Sequence, residues 1–141
     1  MRSRIIFIAK ISTYFMRIYL DSNVFISFIL QEMGKGQRGL FIEAEQFFAK
    51  AASEQHTLML SPLFFSEVTS RTALSREDVV KSLEKLGLFI EQAEFNNEIK
   101  VRDLMKKGIH FSDAVHLANA LANSCDCIVT FNRKDLQGQK L

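Results

Sequence analysis

The chain has no tryptophan, one proline, six glycines and two cysteines among 141 residues. So little proline and glycine excludes a collagen-like or low-complexity chain, and no Pro- or Gly-rich linker divides it. Cys125 and Cys127 are one residue apart, poor geometry for a mutual disulfide and too few thiols for a structural zinc site. They read as small buried residues of a strand, and with nothing calling for an oxidising compartment the cytoplasm is the expected location. An excess of one charge is also missing. The formal net charge is +2, too small for strong nonspecific attraction to nucleic acid, so any such contact must come from local patches. Long apolar runs are absent too. The opening MRSRIIFIAKISTYF is basic and apolar like the start of a signal peptide, but Lys10 breaks the run and no small-residue cleavage site follows. It is too short to span a bilayer, and no membrane association is expected.

What is present fits one globular domain, with 48% apolar and 24% charged residues. Met16 stands immediately before the first β-prone segment. Residues 1–15 are therefore read as an N-terminal extension, an accessory arm or sequence upstream of the natural start, and residues 16–141 as the domain.

Arg17 to Leu20 is short and β-prone. Asp21, Ser22 and Asn23 are helix-capping types ahead of the apolar run Val24 to Leu30. A glycine-bearing loop leads to a stripe of Leu40, Phe41, Ala44, Phe47, Phe48 and Ala51 at helical spacing. Thr57 to Leu60 reads as the second strand, and Ser61 with Pro62 starts the next helix. Ser75 with Asp78 makes a capping-box start for a helix over Val79 to Leu86, which Gly87 stops. Leu88 to Glu91 is the third strand and Phe95 to Lys107 a helix closed by Gly108. Ser112 is placed to cap a helix over Asp113 to Ala122, and Cys127 to Phe131 is the fourth strand. Strands separated by helices imply right-handed crossovers and a parallel sheet with helices on both faces, a three-layer α/β sandwich.

In such sheets ligands sit beyond the carboxyl ends of the strands. Asp21 follows the first strand and Asn132 the fourth. Asp113 lies in the first turn of its helix, and Glu67 about one and a half turns into the helix after strand two. Each has an ordinary reading alone: a helix cap for Asp21, a solvated carboxylate for Glu67, a helix-dipole partner for Asp113. Together they are three carboxylates and an amide, far apart in sequence, that the fold brings toward one edge. Convergent carboxylates repel unless a cation neutralises them, and hard oxygen donors select Mg2+ or Mn2+. Such an ion stabilises charge on a phosphate and lowers the pKa of an attacking water, which is the chemistry of phosphodiester hydrolysis.

The segments YLDSNVFIS at Tyr19 to Ser27, SEV at Ser66 to Val68, HFSDAVHLANA at His110 to Ala120 and CIVTFN at Cys127 to Asn132 together resemble the PIN domain. The likeness runs from about Met16 nearly to the C-terminus. It implies a Rossmann-like, PIN-like fold with a mostly parallel sheet of four or five strands. It further implies a metal-dependent endoribonuclease in which Asp21, Glu67 and Asp113 bind Mg2+ or Mn2+ and Asn132 completes the catalytic set. Asn23 and Thr130 would support the site by hydrogen bonding. Many relatives have aspartate where Asn132 stands, which makes Asp135 the candidate substitute carboxylate. Small PIN domains of this kind resemble VapC-like toxins of type II toxin-antitoxin pairs, which implies an RNA substrate, a small antitoxin partner and a homodimer. The alternative is a catalytically weak PIN-fold module that binds RNA or protein.

Arg133 and Lys134 would contact RNA phosphates, whereas Arg71, Arg76, Lys81 and Lys85 read first as solvated charges. His116 shares the helical face of Asp113 and is read as a packed core or site-rim residue. His110 and His56 receive no role. Phe64 and Phe65 are adjacent on one helix, so one of them is expected to be exposed as a partner-facing patch.

Overall fold

The computed structural model describes residues 6–9, 15–93 and 98–131. Its elements in chain order are β1 (Ile6–Ala9), β2 (Arg17–Leu20), α1 (Ser22–Glu32), α2 (Arg38–Ser53), β3 (Thr57–Leu60), α3 (Pro62–Thr72), α4 (Arg76–Lys85), β4 (Phe89–Gln92), α5 (Glu98–Lys106), α6 (Phe111–Ala122) and β5 (Cys127–Thr130). They form one five-stranded sheet in the order β1-β5-β2-β3-β4. Strands β2 to β5 are parallel, and β1 runs antiparallel to β5. The four-residue segment Ile6–Ala9, assigned from sequence to the extension, thus takes the edge position beside β5.

The topology follows from crossover handedness. Passing from β2 to β3 to β4, the chain moves one way across the sheet, and right-handed connections place α1 to α4 on one face. From β4 it returns past β3 and β2 to β5, so α5 and α6 fall on the other. Strand pleating sorts the side chains accordingly. Ile18, Leu20, Leu58, Leu60 and Val129 enter the core under α1 to α4. Tyr19, Met59 and Ile128 enter the second core, beneath α5 and α6. Three layers result, as the alternation of strands and helices requires. The progression of the chain across the sheet reverses between the parallel strands β2 and β5, and there their carboxyl ends open a crevice.

The first core is built on phenylalanine. Phe28 stacks on Phe41 and meets Phe48 edge-on, with centroids 5.4 and 5.2 Å apart. Phe25 lies 5.9 Å from Phe64. Each such ring contributes roughly 2 to 3 kcal/mol through burial. Phe64 and Phe65 are both buried, contrary to the exposed patch expected from their adjacency. The reason is α4, whose Arg76 guanidinium covers the Phe65 ring at 4.3 Å while its Nε donates to Gln92 Oε1. Both cysteines are free and buried, and burial pushes each thiol up to about 12, leaving it protonated and unreactive.

Local signals place most boundaries. Ser61 Oγ accepts the Phe64 N–H at 3.1 Å and Pro62 opens α3. Ser75 and Asp78 form the reciprocal capping box of α4, and Gly87 beyond it has φ +84°. One start differs. Helix α6 begins at Phe111 with His110 at the N-cap, not at Ser112, because the His110 carbonyl already accepts the Ala114 N–H at 2.8 Å. Asp113 remains in the first turn.

Candidate metal centre at the carboxyl edge of the sheet

The Asp21 N–H donates to the Val129 carbonyl at 3.0 Å, extending the β2/β5 ladder one residue past β2 and holding Asp21 in the crevice. Its backbone is the N-cap of α1, yet its side chain makes no capping bond. The carboxylate is used across the sheet instead. Thr130, the last residue of β5, donates its hydroxyl to Asp21 Oδ2 at 2.6 Å. Asn23 clamps the same corner, with Oδ1 accepting the Phe131 N–H at 3.1 Å and Nδ2 donating to Thr130 Oγ1 at 3.3 Å. Asp21 Oδ1 is left facing the interior of the site.

Glu67 arrives from α3. Its Oε1 accepts from Ser22 Oγ at 2.9 Å and meets His116 Nε2 at 2.9 Å. His116 Nε2 also lies 3.5 Å from Asp21 Oδ1. Behind the imidazole, Nδ1 is hydrogen-bonded to the Tyr19 hydroxyl, which in turn lies 2.7 Å from Ser61 Oγ. A buried chain therefore runs from the cap of α3 through Tyr19 and His116 to both acids. Burial drives the Tyr19 phenol well above its ordinary 10.0, so it keeps its proton and remains a hydrogen-bond donor.

Electrostatics couples the set. Burial alone would lower the His116 pKa, but the hydrogen bond to Glu67 and the negative charges of Asp21, Glu67 and Asp113 prevail and raise it. Burial would raise the Glu67 carboxyl, and the hydrogen bond and charge of His116, with the Ser22 hydroxyl and nearby Arg71, bring it down instead. Asp113 is buried one helical turn before His116. It acts on that ring through its charge and stands outside the tight cluster.

One donor atom each from Asp21, Glu67 and His116 lie within 4.8 Å of one another. Donors about 2.1 Å from one octahedral ion stand about 3 Å apart when adjacent. The 2.9 and 3.5 Å separations from His116 Nε2 to the two acids bracket that spacing, so each acid stands at a distance from the imidazole that suits neighbouring positions in a divalent cation's shell. Two hard oxygens and one imidazole suit Mn2+ at least as well as Mg2+. The structure thus gathers Asp21, Asn23 and Thr130 in direct contact and links Glu67 to Asp21 through His116, with Asp113 nearby. Asn132, Arg133, Lys134 and Asp135 lie outside the described residues. His116 is buried as expected, but it joins the two acids at the centre of the site. Its spacing from Asp113 was the one sequence signal for this, and an apolar helix face gives the same spacing.

The layers and the switch point define a Rossmann-like α/β domain, with a cluster of two acids and a histidine at that point. The chain belongs to the PIN-domain family, whose model matches residues 17–134. PIN domains are generally nucleases that use divalent metal. No match is found among curated proteins or among solved structures.

Proposed function

We propose that this protein is a Mg2+- or Mn2+-dependent endoribonuclease that hydrolyses RNA phosphodiester bonds, and that it is the toxin of a toxin-antitoxin pair. The observation that carries the reading is the meeting of Asp21, Glu67 and His116 at the switch point, with Asp113 one turn away. Asp21, Glu67 and His116 would hold the ion, with Asp113 adding negative charge. Bound there, the ion supplies charge stabilisation at the phosphate and an acidified water. Thr130 and Asn23 keep Asp21 Oδ1 directed into the site, while Tyr19 and Ser61 fix the ring plane of His116. Ser22 steadies Glu67. Asn132, with Asp135 as substitute carboxylate, and the cations Arg133 and Lys134 would complete the phosphate-facing side.

The family membership supports the RNA substrate and, with the exposed side chains of Phe89 and Phe111, a homodimer and a small antitoxin as partners in the cytoplasm. Among the described residues no helix is long and apolar enough to cross a membrane. The deciding experiment is cleavage of a structured RNA pool in Mn2+ or Mg2+, beside EDTA and an Asp113→Asn variant. Cleavage that needs both metal and Asp113 supports the nuclease. Absence of turnover by folded, antitoxin-free protein favours the second reading, a catalytically weak binding module. Asn132, an amide where the family resemblance implies aspartate, motivates that alternative.

A further inference from the structure

Beside the metal centre lies a cleft of about 220 Å3. Asn23, Ile26, Ser27 and Leu30, which share one face of α1, line it together with Lys35 and Arg71. Its outer wall is set in place. The Lys35 and Gly36 N–H groups both donate to the Leu30 carbonyl, at 2.6 and 3.1 Å, folding the loop after α1 back over the end of that helix. At Gly36 an added Cβ would stand 2.9 Å from the Gln31 nitrogen, so only glycine lets the loop approach so closely.

Two features connect the cleft to the reacting centre. Asn23 belongs to both, since it clamps Thr130 and Phe131 while lining the cleft. Arg71 lies one turn after Glu67 on α3, and its charge contributes to the lowered Glu67 pKa. The lining contains two exposed cations and no carboxylate, with the amides of Asn23 and Gln37, the Ser27 hydroxyl and an apolar patch at Ile26, Leu30 and Leu40. Two cations beside the acids add attraction for a polyanion that passes them. Here the cations take a phosphate, and the apolar patch with its few polar groups takes a ring carrying donors and acceptors. A cavity below roughly 300 Å3 is too small for most drug-sized ligands and suits a single base.

We propose that this cleft binds one nucleotide of single-stranded RNA, the one flanking the phosphate held at the metal centre, and so contributes to the choice of cleavage site. The assignment rests on the nuclease reading. Arg71 and Lys35 receive the phosphates on either side of that nucleotide, and Ser27 faces its base edge.

The test uses the full-length protein and fluorescein-labelled single-stranded oligoribonucleotides, with anisotropy read in EDTA and cleavage mapped in Mn2+. Ser27→Trp fills the cleft, and Arg71→Ala and Lys35→Ala remove exposed cations. Thermal melting and Mn2+ binding identify any variant that is misfolded or has lost its metal centre. The expected result is RNA affinity lower by about tenfold for Ser27→Trp and by several-fold for each alanine, with Mn2+ binding unchanged in Ser27→Trp and Lys35→Ala and with altered cut sites. Wild-type affinity and an unchanged cleavage pattern in folded Ser27→Trp, with both alanines also at wild-type affinity, overturn the proposal while leaving the nuclease intact. RNA binding that depends on the cleft in a wild type that never cleaves refutes the nuclease and retains the cleft as a binding site. A wild type that neither binds nor cleaves RNA overturns both.

Discussion

The two ends of the sheet each carry a buried histidine beside a glutamate, and they use it differently. At the amino end His56 Nδ1 accepts the Met16 N–H at 3.0 Å and Nε2 meets Glu54 at 2.8 Å. Nearby, Asp126 accepts the Arg17 N–H at 2.9 Å, and the Arg17 guanidinium reaches the Asn123 carbonyl and Glu91. Every group there has a backbone partner or an opposite charge, so the end is a closed staple. At the carboxyl end His116 is buried as deeply, but it faces Asp21 and Glu67 together, with Asp113 close by. Three acids share one imidazole, and that surplus of negative charge is what a divalent cation would neutralise. A buried histidine is therefore uninformative alone; the balance of charge around it separates a staple from a site.

The largest effect expected from breaking this contrast is on activity. Asp21→Asn removes a ligand charge and should lower Mn2+-dependent RNA cleavage by at least about 100-fold, whereas Asp126→Asn should leave it within about twofold. Equal losses in gel assays of both variants would mean that the two ends do not differ as described.

Next comes metal affinity. His116→Gln should weaken Mn2+ binding by about tenfold or more and remove the nitrogen coupling from the Mn2+ electron-spin-echo spectrum. His56→Gln should do neither. An unchanged nitrogen signal in His116→Gln would show that the imidazole lies outside the metal shell.

The pH dependence of the metal-free protein sharpens the comparison further. The His116 contribution to stability is full below its ordinary 6.5 and is lost as pH rises through its raised value. Glu67 contributes above its ordinary 4.5, and that share is lost as pH falls through its lowered value. Melting temperature in EDTA should therefore fall as pH climbs from neutrality through the raised His116 value, and His116→Gln should flatten that slope. A wild-type curve without the decline would contradict the coupling.

The smallest effect concerns stability alone. His56→Ala strands the Met16 N–H and should cost about 1 to 2 kcal/mol in urea denaturation, with Mn2+ binding unaltered.

Much of this was legible along the chain. Ser61 with Pro62, Ser75 with Asp78, and Gly87 mark helix boundaries through bonds that span three or four residues, and Asp21 could be placed just past a strand for the same local reason. The alternation of strands and helices required a parallel sheet in three layers. The burial of Phe65 escaped notice because the side chain that covers it, Arg76, comes from a different helix.

Sequence by itself therefore determined most of the elements and helix boundaries and the layer architecture, since each depends on periodicity or on neighbours within a turn. Only the tertiary structure decided which side chains meet. Thr130 reaches Asp21 across 109 positions and His116 reaches Glu67 across 49, because β5 returns to lie beside β2. Strand order arises from how the crossovers pack on the two faces of the sheet, and no short stretch of residues carries that information.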